Sequence, residues 1–365
     1  MNTYKAPRKI NSNARYLILA LTVIIVGVVL LIKSRDHKPV AYGVENNGGN
    51  QEVKIPKDNT IKPTGKPVDS GKATIPSNPS GVPSGVQKSG SNEVKTAVEI
   101  NLPVMPPEAA QMSQETLGLI TAAVEDIKKG KIIAARDTLN TVLGMQLTAE
   151  YRKSVKAKLN ELSGQWLFSK DVLSGDSMTQ MYKVHPGEVL ANIGKKFDVP
   201  YEILLEINDI KKPESLRAGQ TIKVIQGPFH VKVYRSTFTM DLYLGNKMFV
   251  KSYGVGLGAK DNETPVGRWR VQEGGKLKEP VWTDPDTNKV MTASDPDYPL
   301  GSRWIAIEGL DEGNKDRTGF AIHGTKDVDS IGKRSSRGCI RLYNGNAIEV
   351  YNLLVPGLSE VRIVD

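Results

Sequence analysis

Apolar and polar positions are patterned differently in successive parts of the chain, and each pattern predicts a different element. Tyr16 to Ile32 is an unbroken run of uncharged, mostly apolar residues (YLILALTVIIVGVVLLI). As a helix it rises about 25 Å, at the short end of what spans a bilayer. Residues 33–104 carry scattered Val and Ile that never form a periodic face, set among Gly, Pro, Ser, Asn and Lys in stretches such as KPTGKP and PSNPSGVPSG. That composition predicts a disordered linker. From Ser113 apolar residues recur at three- and four-residue spacings: Leu117, Ile120, Val124 and Ile127, then Ile132, Ala135, Leu139 and Val142. Two helices follow, with Thr148 placed to cap a third that carries Val155, Leu159 and Leu162. No second copy of this hairpin is found, so residues 105–176 read as an α-helical spacer ahead of a tetratricopeptide-like repeat.

Residues 181–225 read strand, helix, helix, strand. From Phe229 onward short β runs (HVKVYRS, FTMDLYLG, SRWIAIEG, GFAIHG, GCIRLYN, SEVRIVD) alternate with Gly, Pro and Asp turns. Ala347 to Leu354 is the helical exception, stopped by Pro356-Gly357. Residues 229–365 are therefore expected to form a mostly-β, sandwich-like domain with short helices.

Charge sharpens this division. The net charge is +9, but Lys5, Arg8, Lys9, Arg15, Lys33, Arg35 and Lys38 against Asp36 place +6 of it in the first forty residues and leave +3 for the rest. The body lacks the basic face that sequence-tolerant nucleic-acid binding draws on, so no nucleic-acid partner is expected. The basic leader, 1–15, precedes the apolar span at 16–32, and Lys33-Ser-Arg-Asp-His-Lys follows it without an Ala-x-Ala cleavage site. This reads as an uncleaved single-pass transmembrane signal anchor, with the leader cytoplasmic and the folded regions outside. No Phe, Trp or Tyr occurs between Tyr42 and Tyr151, so the folded mass should lie toward the C-terminus.

One cysteine excludes an internal disulfide, and one cysteine with four histidines argues against a thiolate zinc site. Cys339 is thus either inert or chemically active. It follows Ser335-Ser-Arg-Gly338, and His323-Gly324 lies sixteen residues upstream. A thiol with an ordinary pKa near 8.5 is only a few per cent thiolate at neutral pH and needs a base or a positive field to attack. His323 can supply the base. Lys333, Arg334, Arg337 and Arg341 supply four cations, with no acid among them, in nine residues. Gly338 offers room and a backbone N–H beside the thiol. The plainer alternative is a small buried cysteine and a packed core histidine.

Two longer patterns carry resemblances. Tyr182-Lys-Val-x-x-Gly187, Leu190-x-x-Ile193, Leu205-x-x-Asn208 and Leu216-x-x-Gly219-Gln220 together resemble a lysin-motif (LysM) domain. The resemblance implies a βααβ fold that binds N-acetylglucosamine-containing glycan. Glu188 and Val189 depart from the family's Gly-Asp-Thr turn, and Val189 cannot cap the following helix. Read without the family, Gly187, Gly219 and Asn208 are turn and helix-end residues, and His185 is a surface residue.

The second pattern is His323-Gly324-Thr325 with Ser336-Arg337-Gly338-Cys339-Ile340-Arg341-Leu342, preceded by Thr264-Pro265-Val266-Gly267 and Pro299-Leu300-Gly301-Ser302-Arg303-Trp304. It is similar to the YkuD-type L,D-transpeptidase catalytic domain over residues 229–365. The resemblance implies Cys339 as nucleophile, His323 as general base oriented by the Gly324 carbonyl, and an oxyanion hole from the Gly338 and Cys339 amides. Many members carry His where this chain has Arg337. That residue, Arg341 and Ser336 are the substrate-binding candidates, the arginines through bidentate pairing with a carboxylate.

The implied chemistry exchanges one amide for another. Cys339 attacks the L-centre carbonyl of meso-diaminopimelate in a stem tetrapeptide, D-Ala leaves, and an amine of a second stem resolves the thioester to a 3→3 crosslink. No metal or other cofactor is required. The expected partners are peptidoglycan stem peptides and glycan, at a bacterial inner membrane with the C-terminal domains in the periplasm or cell-wall space; whether the helical spacer also recruits a protein stays open. An L,D-carboxypeptidase, with water as acceptor, and a non-catalytic wall-binding protein are the alternatives.

Overall fold

In the computed structural model, the described residues are 112–245 and 247–365. The basic leader, the apolar span at 16–32 and the linker at 33–104 lie outside them. Among the described residues no helix is long and apolar enough to cross a membrane.

The helical region forms three helices: α1 (Gln114–Lys128), α2 (Ile132–Leu143) and α3 (Ala149–Trp166). Their starts follow from local chemistry. Ser113 Oγ accepts the Thr116 N–H at 3.1 Å and Thr148 Oγ1 accepts the Tyr151 N–H at 3.3 Å, each satisfying an amide that the first turn leaves unpaired. Ile120 and Ala123, Leu139 and Val142, and Leu159 and Leu162 are the buried stripes.

Next come β1 (Thr179–Lys183), α4 (Leu190–Lys196), α5 (Tyr201–Ile207) and β2 (Thr221–Ile225), with β1 and β2 antiparallel. Asn208 does more than end a helix. Its amide donates to the carbonyls of Leu204 and Lys223, and its Oδ1 accepts the Lys223 N–H at 2.7 Å, so one buried side chain ties α5 to β2. Val189 caps α4 with no side-chain bond. Glu188 holds the turn instead, accepting the His185 N–H at 2.8 Å and the Tyr182 hydroxyl at 2.6 Å.

The helices are not a free-standing spacer. α2 and α3 pack on the C-terminal domain, where Lys156 Nζ of α3 lies 2.5 Å from the fully buried Asp241 carboxylate and Asn140 Oδ1 of α2 accepts the Phe249 N–H at 2.7 Å. On the other side, buried Lys223 donates to the carbonyls of Trp166, Ser169 and Asp171 at 2.6–3.0 Å. Burial lowers its pKa to about 8, against the opposing pull of Asp176 and Asp171. The reason is that three short amphipathic helices cannot bury their apolar stripes alone and need a second layer.

The C-terminal domain is built from β3 (Phe229–Tyr234), β4 (Thr239–Leu244), β5 (Met248–Gly254), β6 (Leu257–Gly258), β7 (Gly267–Lys278), β8 (Trp282–Thr283), β9 (Val290–Met291), β10 (Arg303–Gly309), β11 (Ala321–Thr325), β12 (Arg334–Ser336), β13 (Ile340–Tyr343), α6 (Asn344–Leu353) and β14 (Glu360–Val364). Eight of the strands form one sheet in the order β13-β11-β10-β7-β14-β3-β4-β5. Its two edges meet: Gly256, just past β5, exchanges backbone hydrogen bonds with Arg341 of β13 at 2.9 and 2.8 Å. Where a mostly-β, sandwich-like domain was expected, the eight strands form one continuous ladder whose edge strands are bridged at Gly256 and Arg341. Val231, Trp269, Val271, Ile305, Ile322 and Ile340 fill the inside, with Ala347, Val350 and Leu353 of α6 also buried.

Asp241 reports on the helix–sheet junction. Replacing Lys156 by Met leaves a buried carboxylate with only Ser252 and Tyr243. The expected loss is at the low end of about 3–5 kcal/mol, because those hydroxyls remain. Urea denaturation measures it, and Asp241→Asn in the same background should recover part of it.

Candidate active site

β11 and β13 run parallel, with Ile322 opposite Ile340 and His323 opposite Arg341. Cys339 lies one residue before this pairing and two before Arg341, so side-chain alternation puts it on the face that carries His323. Strands about 4.8 Å apart with two residues of rise place the two Cα atoms on the order of 8 Å apart, within reach of their side chains. A parallel pair needs a crossover connection. Here that connection is the loop 326–339 itself, pinned where β12 pairs with β6 and where the Ala259 amide donates to the Ser336 carbonyl at 2.8 Å.

His323 is buried. Its Nδ1 is 2.6 Å from the Gly324 carbonyl oxygen, an acceptor only, so Nδ1 carries the proton and Nε2 is the basic atom. The ring stacks on Trp304 of β10 at 5.5 Å and 19°. Burial lowers the imidazole pKa to about 4; the Gly324 carbonyl works against this, and the Arg341 charge adds to it.

Cys339 is partly exposed, with Sγ 3.6 Å from the Gly319 carbonyl. Burial pushes the thiol up to about 11, opposed by the Ala321 amide and by Arg341. Thiol and imidazole are therefore both neutral at physiological pH. Gly338 has φ +110°, and a Cβ there would sit 2.7 Å from the Phe320 ring, so two independent constraints demand glycine beside the thiol. No group of three or more His, Cys, Asp or Glu side chains among the described residues could hold a metal ion.

Residues 228–363 match the family described as the YkuD L,D-transpeptidase catalytic domain, and residues 182–224 match the LysM domain. The candidate L,D-transpeptidase YqjB of Bacillus subtilis is 33% identical over 141 residues, which are 39% of this chain and 74% of that one. The chain belongs to the L,D-transpeptidase family. The candidate L,D-transpeptidase YkuD of Bacillus licheniformis is 29% identical over 190 residues, 50% of this chain and 98% of its own length. Among solved structures, an L,D-transpeptidase from Mycobacterium smegmatis is 16% identical, covering 40% of this chain and 64% of that one, with a TM-score of 0.30.

Within this L,D-transpeptidase domain Ser336 and Arg337 sit differently from the sequence expectation. Ser336 is buried and clamps the loop: its hydroxyl donates to the Cys339 carbonyl at 2.6 Å and accepts the Gly338 N–H at 3.2 Å. It therefore presents no hydroxyl to a substrate, and the Gly338 amide is already engaged. Arg337 points away to the β8–β9 hairpin, where it pairs with Asp284 at 3.4 Å and with Asp286. Its guanidinium is occupied by two carboxylates. Arg341 stays at the site, 3.7 Å from Asp327, with a buried Nε that has no partner.

Sequence reasoning missed Trp304 and Asn344. Asn344 opens α6 directly after β13; its Oδ1 accepts the Ser302 N–H at 2.7 Å and lies 2.5 Å from where a Cβ would stand on either Gly301 or Gly324. It joins the cysteine strand to the peptide whose carbonyl holds His323. The Pro299–Trp304 run was conspicuous in sequence, but only the fold shows what it touches.

Asn344→Ala should loosen Gly324 and let the imidazole change tautomer. The Nδ1–H resonance of His323 should weaken or shift, and Cys339 alkylation should slow roughly 10- to 100-fold. Asn344→Asp, which keeps the acceptor oxygen, should restore most of both.

Proposed function

We propose that this L,D-transpeptidase family member is a peptidoglycan L,D-transpeptidase that forms 3→3 crosslinks through a Cys339 thioester. The observation that carries the reading is the register of two parallel strands that brings Cys339, at the start of one, to the face of His323 on the other, with the His323 tautomer held by the Gly324 carbonyl. His323 Nε2 takes the thiol proton as sulfur attacks the diaminopimelate carbonyl, and returns it to the departing D-Ala amine. In the second half the acceptor amine gives its proton to the same nitrogen. The Cys339 amide is the first oxyanion donor; the Gly338 amide joins only by leaving Ser336 Oγ. Arg341, with its unpaired Nε, receives a substrate carboxylate.

The remaining architecture serves the same end. The LysM domain at 182–224 holds the enzyme on glycan, and the span at 16–32 anchors it to a bacterial inner membrane, with the enzyme in the periplasm or cell-wall space. The linker at 33–104 gives the folded part its reach.

Intact-mass spectrometry of the full-length protein with a disaccharide tetrapeptide and, separately, a carbapenem tests this reading. A covalent adduct absent in Cys339→Ala is expected, together with dimer formation. Accumulation of tripeptide without dimer would replace the transpeptidase by a carboxypeptidase. Absence of any adduct on folded protein would leave a wall-binding protein. Arg341→Ala should acylate more slowly at low tetrapeptide concentration, by roughly tenfold for one lost charge-assisted contact.

A further inference from the structure

The outer face of β7, β14 and β3 lies about half-way round the closed ladder from Cys339 and carries a concavity of about 500 Å³. His230, Lys232, Arg268 and Arg362 line it. The strand register sets Arg268 opposite Arg362, and Arg362 opposite Lys232. Three cations thus stand in one row on three neighbouring strands, each about 5 Å from the next, where like charges repel.

Asp311 offsets this row only in part, its carboxylate acted on by the charges of Arg268 and Arg362. Arg268 has Asp311 at 3.0 Å, but among the described residues neither Arg362 nor Lys232 is ion-paired with an acid. The next residue in the row is an acid, Asp241, opposite Lys232. Its carboxylate is turned to Lys156, Ser252 and Tyr243 instead, so the one acid in register is withdrawn from the row.

His230 adds a donor. Its Nδ1 accepts the Glu360 N–H at 3.0 Å, which leaves the ring proton on Nε2. The concavity therefore presents guanidinium, ammonium and imidazole donors, with Glu360 the only carboxylate along its lining.

We infer that this concavity is a second binding site, separate from the cysteine chemistry, for a chain bearing closely spaced anionic oxygens. A row of cations about 5 Å apart can bind neighbouring phosphates or carboxylates on one chain, and either source presents the same chemistry. Occupancy would relieve the repulsion that the unoccupied row retains.

The test titrates the full-length protein with tripolyphosphate and, in a second arm, with oligoglutamate. Binding is read by calorimetry and by the His230 Nε2–H resonance. At least one probe should bind and shift that resonance, and the responding arm identifies phosphate or carboxylate as the preferred group. Lys232→Gln/Arg362→Gln should weaken binding at least about tenfold, leave carbapenem acylation at Cys339 unchanged and raise the melting temperature. Failure of both probes to bind, equal affinity in the double variant, or a lowered melting temperature would overturn the inference.

Discussion

The parallel pairing of Ala321–Thr325 with Ile340–Tyr343 is the constraint on which the rest of the domain depends. It places residues eighteen apart in the chain side by side, and being parallel it requires a long connection. In many folds a helix fills that role. Here the loop 326–339 does so and delivers Cys339 at its end, so the stiffness of the nucleophile is the stiffness of a crossover. β6, the Ser336 hydroxyl and the Gly256–Arg341 bridge each hold it from a different side. The Gly256–Arg341 bridge also pairs part of the edge that β13 would otherwise expose.

The electrostatics follow from the same burial. A thiol pushed up to about 11 beside an imidazole held down to about 4 makes a resting pair without charge separation. In the proposed reaction thiolate and imidazolium form only together with the attack on a carbonyl, with backbone amides to meet the developing charge. Such a thiol is a poor target for adventitious oxidation, which tracks thiolate character. Arg337 is paired with Asp284 and Asp286, which binds the cysteine loop to the β8–β9 hairpin.

Much of this was legible in the chain because it is local. Ser113 and Thr148 cap helices through amides three residues away. Gly338, Cys339 and the His323-Gly324 pair lie in one short stretch, and their residue types announce nucleophile and base. What escaped depends on pairing order and on distant partners. Alternating runs revealed strands without revealing that eight of them form one closed ladder instead of two sheets. Arg337 looked free because Asp284 and Asp286 lie more than fifty residues upstream. Asn344 lies ahead of the helix expected from Ala347 and drew no notice, although it fills the space left by two glycines. The helices at 114–166 looked like a spacer because Lys156 meets Asp241 only after folding.

The resting state of Cys339 and His323 is the point on which the account stands. Ultraviolet titration of the single thiol, in the native protein and in His323→Gln, together with nitrogen resonances of the imidazole, measures it directly. The account predicts thiolate only near pH 11, imidazolium only near pH 4, and a neutral pair between. A thiolate already formed at neutral pH beside a protonated His323 would contradict it.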